Sequence, residues 1–193
     1  MNFPLNTLGL SHKFISEHVS PGAFCIDATA GRGRDTVFLA SLCGKTGRVL
    51  AFDIQQEATD STAALVKQEG YGDTVTVVCD SHSNMARYAD KNSADAIMFN
   101  LGWLPGGDHN IFSRPETSIP AIDAALEILK PGDVMSVCVY HGKNCGTLEK
   151  DALTEYFKTI DNKRFTVITL EFSNRTGEIP VPVFILKDGK EKL

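Results

Sequence analysis

The sequence predicts an α/β fold: a seven-stranded, mostly parallel sheet with helices on both faces, closed by an antiparallel hairpin. Three observations carry this. Short apolar runs alternate with segments of helical spacing along most of the chain. Three successive runs end on an aspartate: Asp27, Asp53 and Asp80. The last two runs, "FTVITLEF" and "VPVFILK", have no helix between them, so they should pair as a hairpin.

Each element has its own signal. "LSHKFISEHV" reads as a short leading helix, with Ser11 as candidate N-cap and "SPG" ending it. "AFCIDA" is a buried strand. "RDTVFLASLC" has helical spacing, and Gly44 can cap its end. "RVLAFDI" is the second strand. "QQEATDSTAALVKQEG" is helical up to Gly70. "DTVTVVCD" is the third strand, "SNMARYA" a short helix and "ADAIMFN" the fourth strand. An irregular stretch runs from Leu101 to Glu116. Ile122, Ala125, Leu126 and Leu129 then keep one helix face. Thr117 or Ser118 can cap this helix, with Pro120 in its first turn. "KPGD" is a turn into the fifth strand, "VMSVCVY". Leu148, Ala152, Tyr156 and Ile160 mark another helix. Pro180 and Pro182 lack a ladder N–H, so the last strand should start late or run along an edge.

With 193 residues, no repeats and no linker, the chain reads as one domain over residues 1–193. Apolar residues make up 42% and charged residues 22%, ordinary for a soluble globular protein. No apolar run approaches the roughly 20 residues that span a bilayer. The N-terminal segment lacks the charged-then-apolar order of a secretion signal. Cys25, Cys43, Cys79, Cys138 and Cys145 form no CxxC pair, and several fall in apolar runs. They read as reduced thiols, and a cytoplasmic setting is expected. The net charge of −5 argues against broad phosphate binding and leaves room for a local basic patch.

Ligands of open parallel sheets bind beyond the carboxyl ends of the strands. The first strand runs into "DATAGRGRD", where Gly31 and Gly33 allow a tight turn and a close backbone approach. The next helix presents unpaired N–H groups there. Asp53 can accept hydrogen bonds from both hydroxyls of a ribose, and Asp80 stands where a nucleoside base would lie. A dinucleotide fingerprint needs Gly or Ala at the third position, which here is Thr36. Asp27, just ahead of the glycines, would serve a pyrophosphate poorly and suits a cationic cofactor. S-adenosyl-L-methionine fits: it carries an ammonium, a sulfonium and a ribose, and no phosphate. No His, Cys and carboxylate set shows metal-ligand spacing; Cys79 and His82 flank Asp80 without evident partners.

These features resemble a Rossmann-like class I S-adenosylmethionine-dependent methyltransferase. "DATAGRGRDTVFLA", "FNLGWLPGGD", "RPETSIPAIDAALEILKPG" and "VYHG" resemble, more narrowly, a small family first described as rRNA methylases. Its members are now understood as tRNA methyltransferases that convert wobble 5-aminomethyl-(2-thio)uridine to the 5-methylaminomethyl form. The likeness runs from about Ser11 to Lys187. It implies cofactor contacts at Asp27, Thr29, Gly31, Gly33, Asp35, Thr36, Asp53, Ile54, Asp80, Ser81, His82 and Asn100. Arg32 stands where the family commonly has Asn, Arg34 where His is common, and "VYHGKNCG" departs from the usual proline- and glycine-rich form.

In this class the end of the fourth strand faces the transferable methyl group, and amino-group methyltransferases use an Asn/Asp-Pro-Pro-aromatic motif there. Asn100-Leu101-Gly102-Trp103 keeps the order of groups. The resemblance implies that Asn100 and a backbone carbonyl accept hydrogens from the target nitrogen, and that Trp103 stacks on a uracil. Gly106 and Gly107 permit close approach. The acceptor must be neutral, and an alkylammonium has a pKa of ~10. Candidate bases are His141, Tyr140 and Asp108, with water as the alternative; His12, on the leading helix, could close over the cofactor.

Arg114, His109, Lys143, Arg32 and Arg34 sit at expected carboxyl ends of strands and could grip phosphates, while Arg175 lies in the late hairpin loop. The resemblance implies an anticodon stem-loop as partner, read through an unstacked base, and leans towards a homodimer. Three readings remain at this point: a tRNA wobble-uridine N-methyltransferase; a methyltransferase of rRNA or of a small-molecule or protein nitrogen; and a cofactor-binding protein without catalysis.

Overall fold

The computed structural model describes residues 6–104, 106–107, 111–142 and 147–189. Among them are seven strands: β1 (Phe24–Asp27), β2 (Arg48–Asp53), β3 (Val75–Cys79), β4 (Ala94–Leu101), β5 (Leu129–Val139), β6 (Phe165–Thr169) and β7 (Val181–Lys187). The helices are α1 (Thr7–Ser16), α2 (Arg34–Cys43), α3 (Gln56–Gln68), α4 (Pro115–Ile128) and α5 (Thr147–Phe157), with a 3₁₀ helix at His82–Arg87. The strands form one sheet in the order β3-β2-β1-β4-β5-β7-β6. β3, β2, β1, β4 and β5 are parallel, and β7 is antiparallel to both β5 and β6. This is the mostly parallel sheet with an antiparallel hairpin that the sequence predicts. Chain direction through the sheet reverses between β1 and β4, which opens a crevice at their carboxyl ends.

Strand pleating sorts the core. Ile26, Leu50, Phe52, Ile97 and Phe99 point to one face, against α4, α5 and Met85 of the 3₁₀ helix. Cys25, Val49, Ala96 and Met98 point to the other, against Ile15 of α1 and Leu39, Ala40 and Cys43 of α2. Strands covered on both faces need apolar side chains at every position, which is why the central runs show no alternation. At the outer strand β3 this cover is incomplete, and Cys79 is exposed while Cys25, Cys43 and Cys138 are buried free thiols. No described helix is long and apolar enough to cross a membrane.

Gly47 shows how closely β2 enters this core. A Cβ there would collide with Cys43 Cβ and stand 2.7 Å from the Ala23 carbonyl oxygen. Backbone on one side leaves nothing to yield. Gly47→Ala should cost about 2–3 kcal/mol, a Tm lowering of roughly 5–10 °C for a chain of this size, readable by calorimetry.

Several boundaries differ from the sequence reading. α1 begins at Thr7, capped by the Asn6 side chain, which accepts from the Gly9 N–H at 2.7 Å. Ser11 is buried in mid-helix, 3.1 Å from Cys138 Sγ. Arg114 occupies the N-cap position of α4 without a side-chain cap bond and Pro115 lies in the first turn, so Thr117 and Ser118 are helical and Pro120 lies inside the helix. "KPGD" is a bulge within β5: Ala94 pairs with Leu129, but Ala96 pairs with Val134. β7 is an interior strand. Pro182 is tolerated because its carbonyl accepts the Leu170 N–H, so its missing N–H faces the same side, past the last β6 pair at Thr169. In α5 the buried face is Glu149, Leu153 and Phe157, Leu148 is 80% exposed, and Ile160 lies beyond the helix. Glu149 fixes this face by accepting the Ser113 hydroxyl at 2.7 Å and the Ser118 hydroxyl at 2.6 Å. Burial pushes its carboxyl above the usual carboxylate range.

Candidate functional site

A cavity of about 780 Å³ occupies the crevice, within the roughly 300–1,000 Å³ of small-molecule sites. Thr29, Gly31, Asp35, Asp53, Ile54, Ser81, His82, Asn100, Gly102, Trp103, Arg114 and Tyr140 line it, so most of the residues singled out by sequence meet there.

The loop from β1 to α2 forms one wall. Gly31 and Gly33 adopt φ of +53° and +84°, the left-handed region open to glycine. At Gly33 a Cβ would also stand 3.0 Å from Thr62 Cα of α3. Thr62 donates its hydroxyl to the Gly31 carbonyl at 3.1 Å, pinning the loop to α3. The Arg32 guanidinium turns to Glu57 at 2.7 Å, while Arg34 is exposed at the rim. Asp53, at the end of β2, accepts the Gly31 N–H at 3.0 Å and the Gln55 N–H at 2.9 Å. Its carboxylate both shapes the loop and faces the cavity.

Asp27 does not face the cavity. It is fully buried, accepting the Thr29 N–H at 3.1 Å and the Thr36 hydroxyl at 2.6 Å. Thr36 is sealed with it. Neither side chain lines the cavity. Burial, with Asp35 and then Asp53 nearby, pushes the Asp27 carboxyl up to about 7. A carboxyl raised above its unfolded value of about 3.9 contributes stability that is complete below that value and is lost as pH rises through about 7. Asp27→Asn removes the charge; its oxygen can still accept the Thr29 N–H, while its NH₂ must donate to the Thr36 hydroxyl instead of accepting from it. The variant should therefore be more stable than the parent at pH 8, by on the order of 2 kcal/mol, with a flatter profile between pH 4 and 8. Urea unfolding at the two pH values checks this.

Asp80 also lies outside the lining. It accepts from Asn84 Nδ2 at 2.8 Å, the Tyr88 hydroxyl at 2.9 Å and the Ser81 N–H at 2.7 Å, and these bonds hold its carboxyl below the usual range. It organises the 3₁₀ turn that brings Ser81 and His82 to the cavity. Burial keeps the His82 imidazole neutral; its Nδ1 lies 3.3 Å from the Ala28 carbonyl, and its Nε2 is buried with no hydrogen-bond partner.

Asn100 is held on two sides. Its backbone N–H donates to Thr29 Oγ1 at 2.7 Å, and its Nδ2 donates to Asp35 Oδ2 at 2.5 Å. Its Oδ1 is buried with no hydrogen-bond partner. Leu101 belongs to β4: its side chain is in the core, and its carbonyl accepts the Tyr140 N–H at 2.9 Å, so it lies off the cavity wall. Gly102 makes room for Tyr140, whose Cβ stands 3.0 Å from a built Cβ. Trp103 forms an isolated antiparallel bridge with Phe112, and the Arg114 guanidinium lies 4.8 Å over the Phe112 ring. Gly106 and Gly107 stand off the lining, the latter folded against Leu104. Burial pushes the Tyr140 phenol up to about 12, making it a hydrogen-bonding group rather than a base near neutrality. His141 points away: its Nε2 lies 2.8 Å from the Ile179 carbonyl and it does not line the cavity. Arg175 is exposed in the hairpin loop, 4.3 Å over Phe172. Asp108, His109, Lys143 and Cys145 lie outside the described residues. Sequence reasoning missed Leu8, Gln55, Ile111, Phe112 and Thr117, which also line the cavity; only folding brings them there. No described group of three His, Cys, Asp or Glu side chains could hold a metal ion.

The arrangement brings together two carboxylates, a carboxamide whose oxygen has no hydrogen-bond partner, and arginines at the rim. Comparisons place it among known proteins. Residues 49–186 match the family described as "Putative rRNA methylase". The chain is 31% identical over 189 residues to the chloroplastic tRNA (mnm(5)s(2)U34)-methyltransferase of Arabidopsis thaliana, covering 92% of this chain and 68% of that protein. A crystal structure of a "putative rRNA-methylase" from Clostridium thermocellum superposes with a TM-score of 0.92 at 43% identity, covering 95% of this chain and 98% of that one. A "putative methyltransferase" of Streptococcus mutans, solved in complex with SAH, gives 0.86 at 34% identity, with 95% and 99% covered.

Proposed function

The chain belongs to the "Putative rRNA methylase" family, and from that premise we propose that it methylates the side-chain nitrogen of wobble 5-aminomethyl-(2-thio)uridine in tRNA. It is a methyltransferase of the class I fold, with S-adenosyl-L-methionine as cofactor. The residues present fit that cofactor. The cavity is large enough, Asp53 stands where a ribose diol would be gripped, and neutral His82 and exposed Ile54 border the space for a base. Bound there, the cofactor supplies a methyl group on a cationic sulfur.

The chain's own part is alignment and charge. Asn100 Oδ1 would accept a hydrogen from the acceptor nitrogen and hold its lone pair in line with the methyl group. The nitrogen would become positive as it takes the methyl group, while the cationic sulfur would become a neutral thioether. Trp103 would stack on the uracil, a contact of about 1–3 kcal/mol. Arg34 and Arg114, both exposed at the rim, would grip phosphates; Arg32 is engaged by Glu57. The reaction named for the Arabidopsis relative supports this substrate.

The observation that carries the reading is that Asn100, at the end of β4 and with an Oδ1 that has no hydrogen-bond partner, lines the same cavity as Asp53. The test is incubation with tRNA bearing the aminomethyl group, followed by nucleoside mass spectrometry. One added methyl on the side-chain nitrogen is expected. Cofactor binding without that product, or methylation of rRNA instead, would overturn the substrate assignment.

A further inference from the structure

We propose that Asp35 is a positioning residue for methyl transfer: it locks the orientation of the Asn100 carboxamide, Nδ2 towards Asp35 and Oδ1 away from it, and His12 holds Asp35 in that pose. The proposal rests on the role given to Asn100 above. It arises from a juxtaposition of three elements. His12 on α1 meets Asp35 Oδ1 through Nε2 at 2.7 Å, and Asn100 at the end of β4 meets Asp35 Oδ2 through Nδ2 at 2.5 Å.

A carboxamide turned by half a revolution about its last torsion keeps its shape but exchanges donor for acceptor. Presented the wrong way, Asn100 would set its NH₂ against the hydrogens of an amine. An ionised carboxylate only accepts hydrogen bonds, so Asp35 tolerates one orientation of its neighbour: Nδ2 towards Asp35, Oδ1 away from it. The buried, unpartnered Oδ1 is the consequence. The Thr29 hydroxyl fixes the backbone of the same residue, so the β1–α2 segment holds Asn100 at both ends.

Asp35 itself must be held. Its side chain is 8% exposed, and a buried carboxylate needs a partner at each oxygen. Asn100 serves one and His12 the other. The His12 ring lies nearly parallel on Phe38, 3.9 Å between centroids at 11°, so Nε2 is aimed by packing as well as by the bond. The α1 helix that carries it is anchored by Thr7, whose hydroxyl donates to the Pro180 carbonyl at 2.6 Å, and by the Ser11–Cys138 contact. The aim of the catalytic amide is thus set from the leading helix.

The test combines kinetics with a readout that needs no substrate. In Asp35→Asn the partner both donates and accepts, and the lock is lost; kcat should fall about 100-fold while calorimetric cofactor affinity and KM for tRNA stay within about 3-fold. His12→Leu should lower kcat about 10-fold, and His12→Gln, which can place an amide N–H where Nε2 stands, should recover most of that loss. In ¹⁵N spectra of the protein alone, the Asn100 side-chain NH₂ should exchange slowly with solvent and lose that protection in Asp35→Asn. Asp35→Asn with kcat within about 3-fold of the parent would overturn the proposal. So would a loss matched by lost cofactor affinity, or unprotected Asn100 amide hydrogens in the parent. A parent protein that shows amide protection but does not methylate aminomethyl-tRNA would instead refute the substrate reading and leave the lock standing.

Discussion

Asn100→Ala should lower kcat by about 10²–10³-fold while S-adenosyl-L-methionine binds nearly as before. In the proposed mechanism Asn100 supplies an acceptor for the reacting nitrogen; its Oδ1 has no hydrogen-bond partner within the protein. Its loss removes alignment that is needed only as the methyl group moves, and interactions of that kind appear in kcat rather than in binding. The backbone N–H to Thr29 survives the substitution, so β4 and the β1–α2 loop stay joined. Asp35 keeps His12 but loses its other partner. Single-turnover methylation measures the rate, and calorimetry with the cofactor measures binding. Full activity in Asn100→Ala would end the mechanism argued above.

Asp53→Ala should act on the other quantity, weakening cofactor affinity about 10–100-fold. A carboxylate bonded to a ribose diol makes charge-assisted hydrogen bonds worth about 1.5–3 kcal/mol. The same side chain also holds the Gly31 and Gln55 N–H groups, so alanine loosens the glycine loop as well. Asp53→Asn separates the two contributions: one amide oxygen can still serve a backbone N–H, while the charge is gone. An intermediate affinity is expected for Asn and the weakest for Ala, by titration calorimetry. Equal affinity in all three proteins would remove Asp53 from the cofactor site.

The centre of the sheet was legible in the sequence because β1, β2 and β4 are covered on both faces, and unbroken apolar runs report that directly. The cavity's central residues were legible for a related reason: they sit where such runs stop. What misled were positions set by packing across the chain. Leu148 and Leu153 offer α5 two faces, and only Glu149, buried between Ser113 and Ser118, selects one. Asp27 ends its run as Asp53 does, but Thr29 and Thr36 close over it. His141 follows β5 as a base might, yet it turns to Ile179. Positions 12, 35 and 100 share no spacing, so their meeting became visible only when α1, α2 and β4 were placed together.

The sheet order carries a consequence for biogenesis. During translation β6 leaves the ribosome before β7, although β7 must slot between β6 and β5. Until it does, a nascent chain carries two open strand edges, the state most prone to sticking to other chains. Tyr140 follows β5 immediately and forms part of the cavity wall. β7 pairs with β5 as far as Val139, next to Tyr140, so the last strand in the chain is the one that braces that wall.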